Sequence, residues 1–186
     1  MLRTWLAALL LLASAAAAHA SPAQIIIIRH GEKPDTGDEL NERGFARARA
    51  LAEFFVSDPA VITYGPPAAI FAMKPKGPDG SVRPIQTVTP LAEKLGLTID
   101  SDYLRDELPA LVDAVMSVHA YDGRTVLICW EHKAIPKLVA AFGWKTAPDH
   151  WAGSVFDRAW ILNVKDGRVV SFTDAPEHVL PGDSDR

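Results

Sequence analysis

Two histidines with charged neighbours stand out among the residues able to do chemistry. Arg29-His30-Gly31 follows the apolar run Ile25–Ile28, and Glu131-His132 follows "TVLICW". Arg83 lies in a third polar stretch, "SVRPIQT", and Asp106 and Glu107 lie in a fourth, "YLRDELP". Two arginines beside two histidines describe a pocket for a tetrahedral anion, because the guanidinium fork matches phosphate oxygens. Neighbouring positive charge disfavours imidazolium, so His30 is expected to stay neutral near physiological pH and to keep a lone pair for attack. Attack on a phosphate monoester would give a phosphohistidine, with the arginines and His132 stabilising charge on the equatorial oxygens.

The leaving alkoxide then needs a proton, and a carboxylic acid is the usual donor. Glu107 is preferred, although spacing alone does not separate it from Asp106. Glu131 is a third possibility that strand alternation turns to the other face. A metal centre built from His30, Glu32, Glu131 and His132 is a rival chemistry. Arg29 and Arg83 beside those residues would repel a cation, so neither metal nor cofactor is expected. A rival of another class is a periplasmic phospho-ligand binder that keeps the pocket and lacks turnover.

These residues need elements to hold them. Ile25–Ile28 is β-branched and too short for a helix, and reads as a strand buried on both faces, as in parallel sheets. "LNERGFARARALAEFF" then reads as a helix with Asn41 as N-cap and Phe45, Ala48, Leu51, Ala52 and Phe55 at helical spacing. Arg47 and Arg49 on it are read as solvated. The alternation continues with a strand at Ala68–Met73, a helix from Pro84 to Leu95 ended by Gly96, a short strand in "LTID", and a helix in "LPALVDAVMSVH". Then come the strand "RTVLICW" and the helix "IPKLVAAFG". Pro90 is expected to kink or split its helix. "RAWILNV" and "RVVSFT" flank Lys165-Asp166-Gly167, a hairpin turn signal. The fold expected is α/β: a three-layer α/β/α sandwich with a mostly parallel sheet, helices on both faces and a C-terminal hairpin. Its site falls beyond the carboxyl ends of the strands.

The remaining residues set bounds. In the 186-residue chain, Arg3, the apolar run Trp5–Ala18 and Ala18-His19-Ala20 read as a signal peptide cleaved after Ala20. The run of about 14 residues falls short of the roughly 20 that span a bilayer. One domain, residues 21–186, is expected in the periplasm or outside the cell, with no membrane span after cleavage. The formal charge of −4 and the lack of lysine and arginine clusters argue against a nucleic-acid partner. The one cysteine, Cys129, reads as a buried thiol rather than a nucleophile. Trp144, Trp151, Trp160 and Phe156 read as core or pocket wall, and Trp130 as a residue of the pocket mouth. "KPKGPDG" reads as a loop, and "PGDSDR" at the end as frayed. Oligomeric state is not legible.

In four ordered stretches the chain resembles the histidine phosphatase superfamily, the phosphoglycerate-mutase-like fold. They are "IIIIRHGEKP", "LNERGFARARALAEFF", "SVRPIQTVTPLAEKLGL" with its S-x-R-x-x-Q-T pattern, and "RTVLICWEHKAIPKLVAAFG". The resemblance implies His30 as the phosphorylated nucleophile, Arg29 and Arg83 as holders of the phosphoryl group, and His132 as the group completing the pocket. Lys133 follows His132 where the acid-phosphatase and phytase branch carries aspartate. That favours the smaller branch, whose donor is a glutamate from another loop, best matched by Glu107. Thr36 stands where the mutases carry asparagine, which favours a phosphatase over a mutase-like phosphotransferase. The loop "KPKGPDG" is longer than the family usually has before its second arginine. The substrate implied is a phosphate monoester, small or macromolecular.

Overall fold

A computed structural model describes residues 21–78 and 80–184, and the expected signal peptide, residues 1–20, lies outside them. The chain forms β1 (Gln24–Arg29), α1 (Glu42–Ser57), β2 (Pro67–Ala72), α2 (Arg83–Leu95), β3 (Ile99–Asp100) and α3 (Leu108–Ser117). After a 3-10 turn at His119–Tyr121 come β4 (Thr125–Trp130), α4 (Ile135–Ala141), β5 (Arg158–Lys165) and β6 (Arg168–Pro176). The six strands run in the order β3-β2-β4-β1-β5-β6. The first four are parallel, and β5 and β6 add an antiparallel edge. The expected three-layer sandwich and terminal hairpin are therefore present.

The isoleucines of β1 divide between the two faces. Ile26 and Ile28 pack with Leu51, Ala52 and Phe55 of α1 and Val88 and Leu91 of α2. Ile25 and Ile27 pack with Leu111 and Val115 of α3 and Ile135, Leu138 and Val139 of α4. All four isoleucines are fully buried, and each such side chain contributes about 2 kcal/mol of transfer energy. Four identical residues carry no preference for one register, since a one-residue slip swaps like for like. The polar ends supply it. Gln24 Nε2 donates to Asn163 Oδ1 at 3.3 Å, and Thr125 Oγ1 donates to Gly65 O at 3.0 Å beside it. Arg29 closes the other end.

β4 lies between β1 and β2, and this topology creates the site. The chain leaving β1 enters α1 on one face, while the chain leaving the adjacent β4 enters α4 on the other. Connections that diverge from neighbouring parallel strands open a crevice at their carboxyl ends, where α/β folds bind ligands.

Local signals account for most boundaries. Asn41 caps α1 by accepting from Gly44 N–H at 2.9 Å, and Gly96 ends α2 in the left-handed region, with φ 65°. Asp166 and Gly167 both have positive φ, 52° and 72°, as a two-residue hairpin turn of the primed type requires. Pro90 does not split α2, which runs as one element from Arg83 to Leu95. Val88, Leu91 and Ala92 on either side of it are buried, so packing outweighs the roughly 3 kcal/mol that an internal proline costs.

Two surface expectations are corrected. Arg47 is 1% exposed rather than solvated. It donates to both oxygens of Glu32 (2.8 and 3.0 Å), to both of Asp183 (2.7 and 3.0 Å) and to Glu177 Oε2 (3.1 Å). The C-terminal "PGDSDR" accordingly does not fray as far as Ser184. Asp183 Oδ2 accepts from the N–H groups of Val179 and Leu180 at 3.0 and 2.9 Å, and Arg43 donates to Pro181 O at 3.1 Å. A helix pattern marks Arg47 as polar, and only the returning tail brings the carboxylates that make its burial tolerable.

Candidate active site

His30 sits one residue beyond β1, and its backbone N–H donates to Trp130 O at 3.2 Å, continuing the pairing with β4. The imidazole is 4% exposed. Its Nδ1 lies 2.8 Å from Gly31 O, and a carbonyl only accepts, so Nδ1 carries the proton and Nε2 keeps the lone pair. The ring's pKa is pushed down to about 4. Burial is the larger cause, the bond to Gly31 O opposes it, and the charges of Arg29 and Arg83 add to it. Neutrality was expected from the arginines, whereas desolvation dominates.

Gly31 packs against Gly44 of α1. A Cβ on Gly31 would lie 3.0 Å from Gly44 O, and one on Gly44 would lie 2.3 Å from Glu32 O. The first site loop and the helix after it thus meet backbone to backbone, which requires glycine. Gly31 N–H donates to Thr87 Oγ1 at 2.9 Å, and Thr87 Oγ1 donates to Arg83 O at 2.8 Å. This ties the His30 loop to the first turn of α2, which carries Arg83.

Arg29 is 1% exposed. Its guanidinium lies over the Phe156 ring, 3.6 Å from the centroid, and Nη1 donates to Gly153 O at 2.9 Å and Val155 O at 2.7 Å. Burial lowers its pKa to about 10, with Glu131 and Glu32 opposing, so it remains charged at neutral pH. Its Nε is buried and has no hydrogen-bond partner. Arg83 is partly exposed, donating from Nε to Glu39 O at 3.0 Å and from Nη2 to Gly37 O. Burial lowers its pKa also. Gln86 accepts from Leu40 N–H at 2.8 Å and helps α2 hold the same 37–40 loop.

His132 follows β4 with its side chain 15% exposed, and the 153 segment that binds Arg29 passes over it. A Cβ on Gly153 would lie 3.7 Å from His132 Nε2. Burial, then Arg29, lowers the pKa of His132. Glu131 Oε1 is 2.9 Å from His132 Nδ1, close in distance but without hydrogen-bond geometry, since Nδ1 keeps no hydrogen-bond partner. This corrects the expectation that Glu131 faces away. β4 ends at Trp130, and Glu131 opens a turn in which its carbonyl accepts from Ala134 and Ile135, so strand alternation no longer governs its side chain.

The Tyr103–Glu107 loop reaches the same rim. Lys74 N–H donates to Tyr103 O at 2.8 Å and Trp130 Nε1 donates to Arg105 O at 3.1 Å, tying the loop to the ends of β2 and β4. Trp130 is therefore a fully buried anchor rather than a residue of the mouth. Glu107 Oε2 accepts from Leu104 N–H at 2.8 Å, whereas Asp106 pairs with Arg105 Nε at 3.1 Å and is 75% exposed. Both line a cavity of about 550 Å³ with Met73, Lys74 and Ser81.

The rival metal quartet is broken up by Glu32, which is committed to Arg43 and Arg47. Cys129 is fully buried, and burial pushes its thiol pKa up, as an inert core residue requires. Thr87 and the 152–155 carbonyls have no assignment from the sequence, and Phe156, read only as core or pocket wall, lies under Arg29. Thr87 stands inside the S-x-R-x-x-Q-T pattern, which was its signal. The other two lie more than a hundred residues from Arg29, with no local mark of that contact.

No protein-family model matches the sequence, and no curated protein matches it. Solved structures do match in fold. A mycobacterial glucosyl-3-phosphoglycerate phosphatase complexed with VO3 superposes with a TM-score of 0.56 at 16% identity, over 85% of this chain and 100% of that one. A phosphoglycerate mutase from Bacillus anthracis gives 0.55 at 11%, over 86% and 94%. The protein histidine phosphatase SixA complexed with tungstate gives 0.51 at 15%, over 83% and 97%. At these identities the likeness is one of fold. Among the described residues, no helix is long and apolar enough to cross a membrane.

Proposed function

We propose that the chain is a phosphate-monoester hydrolase of the histidine phosphatase superfamily, in its smaller branch, working through a phosphohistidine on His30. One observation carries this reading. His30 donates from Nδ1 to Gly31 O, which leaves Nε2 as a lone-pair nitrogen beside Arg29, whose buried Nε lacks a partner. A buried, charged donor without a partner is costly unless an anion completes it. Two of the fold neighbours were solved with tungstate or VO3, oxyanions that mimic phosphate.

In the proposed reaction Nε2 attacks phosphorus in line, and the bond from phosphorus to the ester oxygen breaks as the bond to nitrogen forms. Arg29, Arg83 and His132 stabilise the phosphoryl oxygens, and Glu107 gives its proton to the departing alkoxide. The Glu107 carboxylate next takes a proton from water, whose oxygen displaces His30 from phosphorus, releasing inorganic phosphate and neutral imidazole. Neutral His30 at physiological pH suits the first step, and a buried strand end gives the rigidity that in-line attack needs. Residues 1–20 are proposed as a cleaved leader and the enzyme as periplasmic or secreted, on the strength of Ala18-His19-Ala20. The test is hydrolysis of phenyl phosphate by residues 21–186. Activity in the wild type and its loss in His30→Ala support the reading, and an inactive wild type or an active His30→Ala refutes it.

A further inference from the structure

The cavity beside the loop "KPKGPDG" meets the chemistry above only at Glu107. Met73 continues β2 with its N–H on Cys129 O, and Lys74 N–H bonds Tyr103 O. The cavity of about 550 Å³ therefore stands beyond the end of β2, against the Leu104–Glu107 loop. β1, which bears His30, is two strand spacings from β2, about 10 Å. Ser81, two residues before Arg83, and Glu107 both line the cavity. In the proposed reaction the ester oxygen takes its proton from Glu107, which brings the alcohol portion of the substrate to this cavity.

The lining has a definite chemistry. Met73 and Leu104 supply apolar surface. Lys74 and Lys76 are exposed and pair with no carboxylate among the described residues. Arg105 and Asp106 neutralise one another at 3.1 Å, and Glu107 is engaged by Leu104 N–H. Ser81 Oγ is buried without a hydrogen-bond partner. Lys74, Lys76 and Arg105 thus outnumber the carboxylates of Asp106 and Glu107 in the lining, and the unfilled polar atom belongs to Ser81. The volume suits a small molecule.

The geometry points to a leaving-group pocket that selects phosphate monoesters whose alcohol portion carries a second anionic group, received by Lys74 and Lys76 with Ser81. This substrate class rests on the phosphatase reading, so its test includes binding as well as turnover. Benzylphosphonate and its para-carboxylated analogue are titrated calorimetrically into wild type and the double variant K74A/K76A. Phenyl phosphate and 4-carboxyphenyl phosphate, whose leaving groups are of similar basicity, are compared in turnover.

The wild type binds the carboxylated phosphonate about tenfold tighter, as two partly solvated ion pairs allow. The preference collapses to about unity in K74A/K76A and shrinks at high salt, while phenyl phosphate hydrolysis is unchanged. Equal affinity in the wild type, or a preference that survives in K74A/K76A, overturns the pocket. Selective phosphonate binding without hydrolysis of either ester refutes the phosphatase reading and leaves the pocket standing.

Discussion

The backbone N–H of Gly31 donates to the hydroxyl of Thr87, 2.9 Å away across 56 residues of sequence. This bond joins the His30 loop to the helix that carries Arg83, so the spacing between His30 and Arg83 depends on a threonine that touches no substrate in the proposed reaction. Thr87→Val keeps the shape and removes both bonds of the hydroxyl. It is expected to cost about 1–3 kcal/mol in urea unfolding, the usual penalty of an unpaired buried donor, and to lower kcat for phenyl phosphate. Thr87→Ser is expected to recover most of both. A Thr87→Val variant with wild-type stability and kcat contradicts this role.

Gly44 tolerates a side chain less well than Gly31. A Cβ on Gly44 meets the backbone oxygen of Glu32 at 2.3 Å, and one on Gly31 meets that of Gly44 at 3.0 Å. Backbone yields less readily than a flexible side chain, so Gly44→Ala is expected to lose about 2 kcal/mol or more in denaturant titration, and Gly31→Ala less. The reverse order would mean that the loop and α1 do not meet as described.

Arg47 and its three carboxylates give stability a two-sided pH dependence. Burial pushes the Glu177 pKa well above the ordinary carboxylate range, against the attraction of Arg47. Its contribution is therefore full below its unfolded value and is lost as pH rises through the raised folded one. Burial also pushes Glu32 and Asp183 up, but the Arg47 hydrogen bonds outweigh it and hold both below their ordinary values. Their contribution is present above the unfolded values and is lost as pH falls through the lowered folded ones. Glu177→Gln is expected to remove the loss on the alkaline side while keeping the acid limb. Arg47→Met is expected to cost about 3–5 kcal/mol at neutral pH, because it strands buried carboxylates. Thermal unfolding from pH 3 to 9 reads both, and an unchanged alkaline side in Glu177→Gln contradicts the assignment.

The sequence carried much of this arrangement, and its failures are instructive. β1, with Arg29 and His30 at its carboxyl end, was legible because a buried parallel strand has a distinctive β-branched run. The hairpin was legible because Asp166-Gly167 suits one turn type. Arg47 was misread because helical periodicity reports polarity and not the partners that a distant tail supplies. Glu131 was misread because alternation was carried one residue past the end of β4. Phe156 was legible as core or pocket wall but not as the ring beneath Arg29, since a crevice formed by topology gathers residues from both halves of the chain.

The pKa of about 4 and the Gly31 bond make a spectroscopic prediction for His30. Nitrogen-15 histidine spectra of the resting protein are expected to show His30 as the Nδ1–H tautomer, neutral from pH 8 down to about 5. Titration of His30 at the ordinary imidazole value of about 6.5 would mean that the ring is solvated.

Glu107 and Asp106 are both exposed and differ in their partners, one held by Leu104 N–H and the other paired with Arg105. Glu107→Gln is expected to slow hydrolysis of alkyl phosphates far more than that of aryl phosphates, whose leaving groups need little protonation. Asp106→Asn is expected to leave both rates near wild type. If the leaving-group dependence appears in Asp106→Asn instead, the proton donor is Asp106.

The central claim is a covalent phosphoryl group on His30, and trapping tests it most directly. Residues 21–186 are mixed with radiolabelled phenyl phosphate, quenched within milliseconds in alkali, digested and mapped. The account predicts alkali-stable, acid-labile label on the peptide containing His30 and none in His30→Ala. Label on any other residue, or wild-type turnover by His30→Ala, would contradict it.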